Sequence, residues 1–249
     1  MTEKIDKYKV QAALVRSFFD AFSHGVIESQ VEDRNEKTTP QSVKKLMLEH
    51  YEHIAPAFFD TMFFPLAAMN YKYEEIAALA REAQQRGDDM MALVRTACGD
   101  EAYYNAMVEE YKRNFSMLLA GRHLSNADHL EGYVRNAEET EASVDSDRAI
   151  ELTVRVVMFA YVRGLRQTGE SARFDRSAHL GQVHPLRGDT LFRLMLDAMN
   201  ILLLDEAVDF ADAEAADLAS LFLKVCQTQH NFTVMTNEMD RTYSELMKE

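Results

Sequence analysis

The sequence predicts an all-α protein, a single domain covering residues 1–249 and containing about eight to ten helices. Glycine occurs 9 times and proline 4 times, which is too few for the turns of a many-stranded protein. No stretch alternates apolar and polar residues in steps of two, whereas both chain ends repeat apolar residues every three or four positions. With 47% hydrophobic residues, a chain of 249 residues can bury a substantial core.

The apolar repeats predict two long terminal helices, one from about Thr2 to Ser29 and one from about Asp212 to the chain end. The N-terminal seam comprises Ile5, Tyr8, Ala12, Val15, Phe19, Phe22 and Val26; the C-terminal seam comprises Leu218, Leu221, Val225, Phe232, Met235, Met239 and Leu246, with Thr228 and Thr242 as weak points. A continuous C-terminal helix would extend roughly 50 Å, which exceeds a compact domain of this size. We therefore expect a homodimer through one or both terminal helices. Alternatively, the two seams pack on each other and on the core within one chain.

Shorter helices are expected after the charged stretch 32–39. Thr39 offers an N-cap and Pro40 a first helical position, so a second helix is predicted through Ile54 and ended or kinked by Pro56. Residues typical of helix caps predict three further helices: Ala57 to Asn70, Asn70 to Arg86 with Gly87 as terminator, and Asp88 to Cys98 closed by Gly99. The next helix is capped by Asp100, ends at Gly121 and carries the apolar stripe Tyr104, Val108, Tyr111, Phe115 and Leu118. A last helix of this group runs from Ser125 through Ala137.

Two segments, 148–165 and 190–208, are apolar in nearly every direction around a helix. Such helices are buried on all sides, so these two are predicted to form the centre, with the terminal and amphipathic helices around them. The acidic stretch 138–147 is a possible subdomain boundary or a solvated loop. The glycine-containing segment 164–189 is predicted to be a long loop, and long loops often carry function.

Composition excludes several classes of function. The net charge of −14 disfavours a general attraction to nucleic acid or anionic lipid. The two cysteines are too few for a disulfide framework, and the N-terminus lacks a secretory signal pattern, so we expect a cytoplasmic protein. The most apolar run, residues 54–69, contains Asp60 and Pro65 and is shorter than the roughly 20 residues that a membrane span requires.

The sharpest polar cluster lies on the predicted second helix. Glu49, His50 and His53 lie three or four positions apart, so pairs of them share a helix face and are candidate metal ligands. The Glu-x-x-His spacing that helical di-metal sites use is absent here. The structural alternative is a partly buried histidine hydrogen-bonded to its neighbours.

Two further sets of polar residues are weaker candidates. Asp205 lies on an apolar helix, where a buried carboxylate needs a partner such as Arg155, Arg163 or Arg166. His179 and His184 lie in the long loop and are the local candidates for acid–base or anion-binding work.

No assembled catalytic set accompanies these residues. The sequence therefore predicts a non-catalytic helical interaction or regulatory protein without a cofactor, which binds a protein partner or a small apolar ligand as a homodimer. The alternative is a helical-bundle enzyme that depends on a divalent metal ion, non-haem iron or manganese, with Glu49, His50 and His53 among the ligands.

Overall fold

The computed structural model describes residues 3–30, 40–120, 142–166, 189–204, 218–246 and 248. Within these residues helices account for 87% of the chain, which confirms the all-α prediction. The ten described helices are α1 (Lys7–Gln30), α2 (Pro40–Glu49), α3 (Tyr51–Asn70), α4 (Tyr73–Arg86), α5 (Met90–Ala97), α6 (Glu101–Leu119), α7 (Ser146–Arg166), α8 (Asp189–Leu203), α9 (Leu218–Cys226) and α10 (Gln229–Leu246). None of these helices is long and apolar enough to cross a membrane.

Helices α1 and α7 pack most extensively and form the centre of the fold. Helix α7 is buried on nearly all sides, as its sequence predicts. Helix α1 is also buried on both sides, although its seam had suggested an outer position. The reason is that residues between the seam positions, such as Val10, Leu14 and Phe18, are apolar and fully buried too.

A short two-stranded sheet, which the sequence analysis did not anticipate, joins the starts of the two central helices. Strand β1 (Lys4–Asp6) pairs antiparallel with β2 (Ser143–Asp145), with Ile5 opposite Val144. The Lys7 amide donates to the carbonyl of Ala142 at 3.1 Å, and the Ser146 amide donates to that of Glu3 at 2.9 Å. Strands of three residues are too short to show a two-residue alternation. The described end of the stretch 138–147 therefore belongs to the sheet and to α7.

The backbones of α1 and α7 meet at two glycines. A methyl group on Gly25 would overlap the Tyr161 carbonyl oxygen and lie 3.0 Å from the Gly164 Cα; one on Gly164 would overlap the Phe22 carbonyl oxygen. Only glycine permits this approach. Gly164 therefore belongs to α7, and its assignment to the long loop was wrong; residues 167–188 of that loop lie outside the described residues.

We predict that Gly25→Ala and Gly164→Ala each destabilise the protein by about 1–3 kcal/mol, because backbone atoms cannot move aside for the added methyl group. This cost opposes the gain in helix propensity of about 1 kcal/mol that alanine brings. Urea unfolding followed by circular dichroism measures the change. The matched control is Gly87→Asn, which has open space around the site and a left-handed backbone that asparagine tolerates. Unchanged stability in both alanine variants would contradict the close contact.

The second helix ends earlier than expected. Helix α2 stops at Glu49, and α3 starts at Tyr51 and continues through both Pro56 and Pro65, so of the two alternatives for Pro56, that it ends or kinks the helix, the first was wrong. Burial of apolar residues on α3, including Ile54 and Phe58, compensates for the backbone hydrogen bonds that the prolines cannot donate.

Most of the predicted caps are present. Pro40 starts α2, Gly87 and Gly99 adopt left-handed backbone angles, and the Asp100 carboxylate accepts the Tyr103 amide at 2.7 Å.

Asn70, by contrast, ends α3 and donates to the carbonyls of Leu66 and Ala97. Helix α4 starts after Lys72, whose amide donates to the Glu75 carboxylate at 2.7 Å. The predicted cap at Asn70 was therefore wrong. The predicted helix from Ser125 and the stop at Gly121 lie outside the described residues.

The C-terminal seam lies on two helices rather than one. Gln227 has a φ of 62°, which breaks the helix between α9 and α10. The seam residues Val225, Met235, Met239 and Leu246 are buried in the chain. Helix α10 packs mainly on α7, and at 18 residues it extends about 27 Å. The prediction of one continuous C-terminal helix was wrong. The helix length on which the expected homodimer was based therefore no longer argues for a second chain. The expected start at Asp212 lies outside the described residues.

An ion-pair network fastens α10 to α7. Arg155 donates to Glu238 at 3.1 Å and to Glu245 at 2.7 Å, and Glu238 is only 4% exposed. Arg241 also approaches Glu238, at 3.4 Å. Burial alone would raise the pKa of Glu245, but the hydrogen bond and charge of Arg155, aided by Arg241, outweigh burial and lower the pKa below its ordinary 4.5.

We predict that Arg155→Met destabilises the protein by about 3–5 kcal/mol, because Glu238 would keep its buried position without its main cation. Arg241→Met, the control, removes a side chain that is 64% exposed and should cost less than about 1 kcal/mol. A lowered folded-state pKa stabilises the fold above the unfolded pKa, so the contribution of Glu245 is lost as the pH falls below about 4.5. Urea midpoints between pH 3 and 7 test both points. Equal losses in the two variants would contradict the network.

Candidate functional site

The junction of α2 and α3 gathers the residues that best fit a functional surface. We define the α2–α3 corner as Gln41, Lys44, Lys45, Leu48, Glu49, His50, Tyr51 and His53. Met47 is fully buried and anchors the end of α2 to the core, whereas Leu48 is 49% exposed and Tyr51 is 54% exposed. Large apolar side chains that stay half exposed at one place often mark a binding surface.

A shallow depression lies beside these apolar side chains. It is lined by Gln41, Lys44, Lys45, Leu48 and Glu49 along the outer face of α2. Both lysines are exposed, and Lys45 approaches Glu49 at 3.8 Å with both side chains at least half exposed. Such a surface ion pair contributes little to stability and is easily rearranged. The depression therefore offers two exposed cations next to an apolar side chain.

The predicted metal ligands lie at this corner, but they are spread over a helix end, a turn and the next helix. Glu49 ends α2, His50 forms the turn, and His53 is exposed on the first turn of α3. The two imidazole rings are 6.3 Å apart between centroids. Partial burial, together with the charge of His53, lowers the pKa of His50 against the opposing effect of Glu49. A lowered pKa keeps the His50 imidazole neutral near pH 7, where it can accept a hydrogen bond or bind a partner group.

The described residues contain no group of three or more histidine, cysteine, aspartate or glutamate side chains placed to hold a metal ion. Glu49 is engaged by Lys45, and residues from other helices do not complete the set within the described part of the chain. The metal site at Glu49, His50 and His53 therefore stays a prediction that dialysed protein can test directly.

Asp205, His179 and His184 lie outside the described residues. The arginines proposed as partners of Asp205 have other partners: Arg155 pairs with Glu238 and Glu245, and Arg163 pairs with Asp60.

The exposure of Leu48 and Tyr51 was missed by the sequence analysis. The sequence predicts one helix through Ile54 and was read there for metal ligands, not for exposed apolar side chains. A signal was available, because Leu48 follows Met47 by one position and so points about 100° away from it on a helix.

Comparison with protein families, with characterised proteins and with solved structures yields no match to this chain. The α2–α3 corner is therefore the basis for the function proposed below.

We predict that the protein dialysed against Mn²⁺, Fe²⁺ or Zn²⁺ retains no stoichiometric metal, because a surface pair of imidazoles is a weak site. Elemental analysis of the wild type and of His53→Ala makes the measurement. One equivalent of metal in the wild type that is lost in His53→Ala would favour the metal-dependent enzyme.

Proposed function

We propose that the protein is a non-catalytic helical interaction protein that binds a helix of a protein partner at the α2–α3 corner. The observation that carries the proposal is the coincidence of half-exposed Leu48 and Tyr51 with the lysine-lined depression on α2. The depression is shallow, which suits the side of a helix better than a small molecule, since small-molecule sites are usually enclosed.

The chemistry of the corner defines the partner. Leu48 and Tyr51 fit apolar side chains spaced one helical turn apart, and Lys44 and Lys45 fit carboxylates beside them. The whole chain carries a net charge of −14 and repels acidic partners at long range. Local lysines are therefore needed to receive an acidic amphipathic helix, and binding should weaken as salt rises.

We predict that Leu48→Asp weakens binding of such a helix at least about tenfold, because it places a carboxylate in the centre of the apolar contact. A photoreactive phenylalanine derivative at position 48 first captures the partner in cells. A synthetic peptide of the captured helix is then titrated against the wild type and the variant by calorimetry. Tyr73→Asp is the control, because Tyr73 is 73% exposed on α4 and lies outside the corner. Capture of equal strength at positions 48 and 73, or equal affinities in the two variants, would refute the assignment.

The burial of the apolar seams on the terminal helices bears on the oligomeric state. The sequence predicted a homodimer through the terminal helices, but the described seam residues are mostly buried within one chain. A homodimer through these helices would have to use residues outside the buried seams, against the repulsion of two acidic chains.

We therefore expect sedimentation equilibrium to give the mass of a monomer at micromolar concentration. A dimer that dissociates in Leu48→Asp would instead make a second copy of this chain the occupant of the corner. A dimer that Leu48→Asp leaves intact would place the homodimer contact elsewhere.

A further inference from the structure

We infer that the chain is a tandem duplication. Among the described residues, helices α1, α3, α5 and α6 of one half correspond to α7, α8, α9 and α10 of the other, and the two halves pack on each other through α1 and α7 as two subunits of a homodimer would. The inference concerns a self-complementary interaction surface whose partner is a second copy of the same unit. It is independent of the function proposed for the α2–α3 corner.

The first observation is a two-fold relation between the central helices. Ile5 and Val144 face each other at the centre of the antiparallel strand pair. The flanking hydrogen bonds are reciprocal, since the amide after each strand donates to the carbonyl before the other strand. The glycine contact is reciprocal as well: Gly25 meets the Tyr161 carbonyl and the Leu165 nitrogen, and Gly164 meets the Phe22 carbonyl and the Val26 nitrogen at the same distances. The equivalent residues of these reciprocal contacts, Gly25 and Gly164, Phe22 and Tyr161, and Val26 and Leu165, have the same separation in sequence as Ile5 and Val144.

The sequences agree in this register. When α1 and α7 are aligned by that separation, several residues coincide. The identical pairs are Asp6 and Asp145, Val15 and Val154, Arg16 and Arg155, Ala21 and Ala160, and Gly25 and Gly164. Self-complementary contacts between two-fold related surfaces are the hallmark of homodimers.

The second observation is a repeated turn near the end of each half. Cys98 and Cys226 are both buried, and burial raises the pKa of each thiol to about 12. The residue after each cysteine has a positive φ, 78° at Gly99 and 62° at Gln227; Gln227 is the one non-glycine residue with a positive φ in the described chain.

The helix that follows each turn begins in the same way. The Asp100 carboxylate accepts the Tyr103 amide at 2.7 Å, and the Thr228 hydroxyl accepts the Asn231 amide at 3.1 Å. A left-handed glutamine is unfavourable, so its occurrence at this place argues for a retained backbone rather than a chance resemblance.

Helices α6 and α10 continue the correspondence. Their buried positions coincide in pairs: Tyr103 and Asn231, Met107 and Met235, Asn114 and Thr242, and Leu118 and Leu246. Each helix also carries a Glu-x-x-Arg ion pair at the same place, Glu110 with Arg113 and Glu238 with Arg241. These glutamates act on the equivalent arginines of the central helices: the charge of Glu110 acts on buried Arg16, and Glu238 pairs with Arg155.

Helices α3 and α8 complete the pattern. Helix α3 contains Leu-Ala-Ala-Met-Asn (66–70), and α8 contains Leu-Asp-Ala-Met-Asn (196–200), which differs at one position. Helix α3 packs on α5 and across the axis on α7, whereas α8 packs on α9 and across the axis on α1. The order of matching helices along the chain is the same in both halves, which a tandem duplication requires.

The test uses the full chain with a protease site inserted between residues 121 and 141, cleaved after purification and checked by circular dichroism. If the halves are copies, the C-terminal piece can pair with a second C-terminal piece, because α7 carries the same contact surface as α1. Val144→Cys then lies opposite its own counterpart and forms a disulfide-linked dimer of C-terminal pieces on mild oxidation.

Ser143→Cys is the matched control, because position 143 pairs off the axis with Asp6 and would face Asp145 in a dimer of C-terminal pieces. We expect the yield of crosslinked dimer to be several-fold higher for Val144→Cys. The buried Cys98 and Cys226 should contribute little background. Pieces that stay folded and pair only with their original partner would overturn the inference.

If the cleaved pieces unfold, the intact chain supplies a second test. The double variant Val26→Leu with Leu165→Val exchanges two buried residues at equivalent positions, and it should melt within about 2 °C of the wild type. Val26→Leu with Leu14→Val has the same change of composition but exchanges unrelated positions, and it should melt several degrees lower. Equal melting temperatures of the two double variants would overturn the inference.

Discussion

The close contact of α1 and α7 at Gly25 and Gly164 is the constraint on which the packing of the helices around them depends. Helices usually pack about 8–10 Å apart because side chains separate them. Here the two backbones touch at the glycines, where no side chain separates them. Helix α6 packs on α1 and α10 packs on α7, while α3 and α8 fill the spaces beside the crossing. The small sheet holds the starts of α1 and α7 in the register that brings the glycines together.

Features set by local chemistry could be predicted from the sequence. Pro40, Gly87, Gly99 and Asp100 act where they were expected, because a cap depends on the backbone and side chain of a few neighbouring residues. The breaks at His50 and Gln227 could not be predicted, since neither is a glycine or a proline. At Pro56 the sequence suggests a helix end, but α3 continues through this residue because tertiary packing stabilises the helix on both sides of it.

The two-fold relation between the halves could not be predicted from the sequence alone. Identical residues such as Arg16 and Arg155 are scattered among many differences, and the spacing between matching helices changes from one half to the other. The heptad seam of α1 is real but describes only one side of a helix that is buried on both. Of the candidate site, the sequence located the segment containing Glu49, His50 and His53, but it did not reveal the exposure of Leu48 and Tyr51. The exposure of Leu48 follows from its place beside buried Met47 on α2, whereas that of Tyr51 depends on where α2 ends, which is a tertiary property.

The duplication bears on where function can lie. Residues that agree between the halves, such as Gly25, Met107 and Glu238 with their counterparts, belong to the core or to its ion pairs, and their agreement is explained by folding. A surface that evolved for a partner is expected where the halves are free to differ. The α2–α3 corner meets that condition, because Leu48 and Tyr51 are too exposed to contribute much to packing, and Lys44 and Lys45 are solvated. Half-exposed apolar residues bring a cost in solubility that folding does not require, and the proposed binding of a partner helix would give a physical reason to retain them.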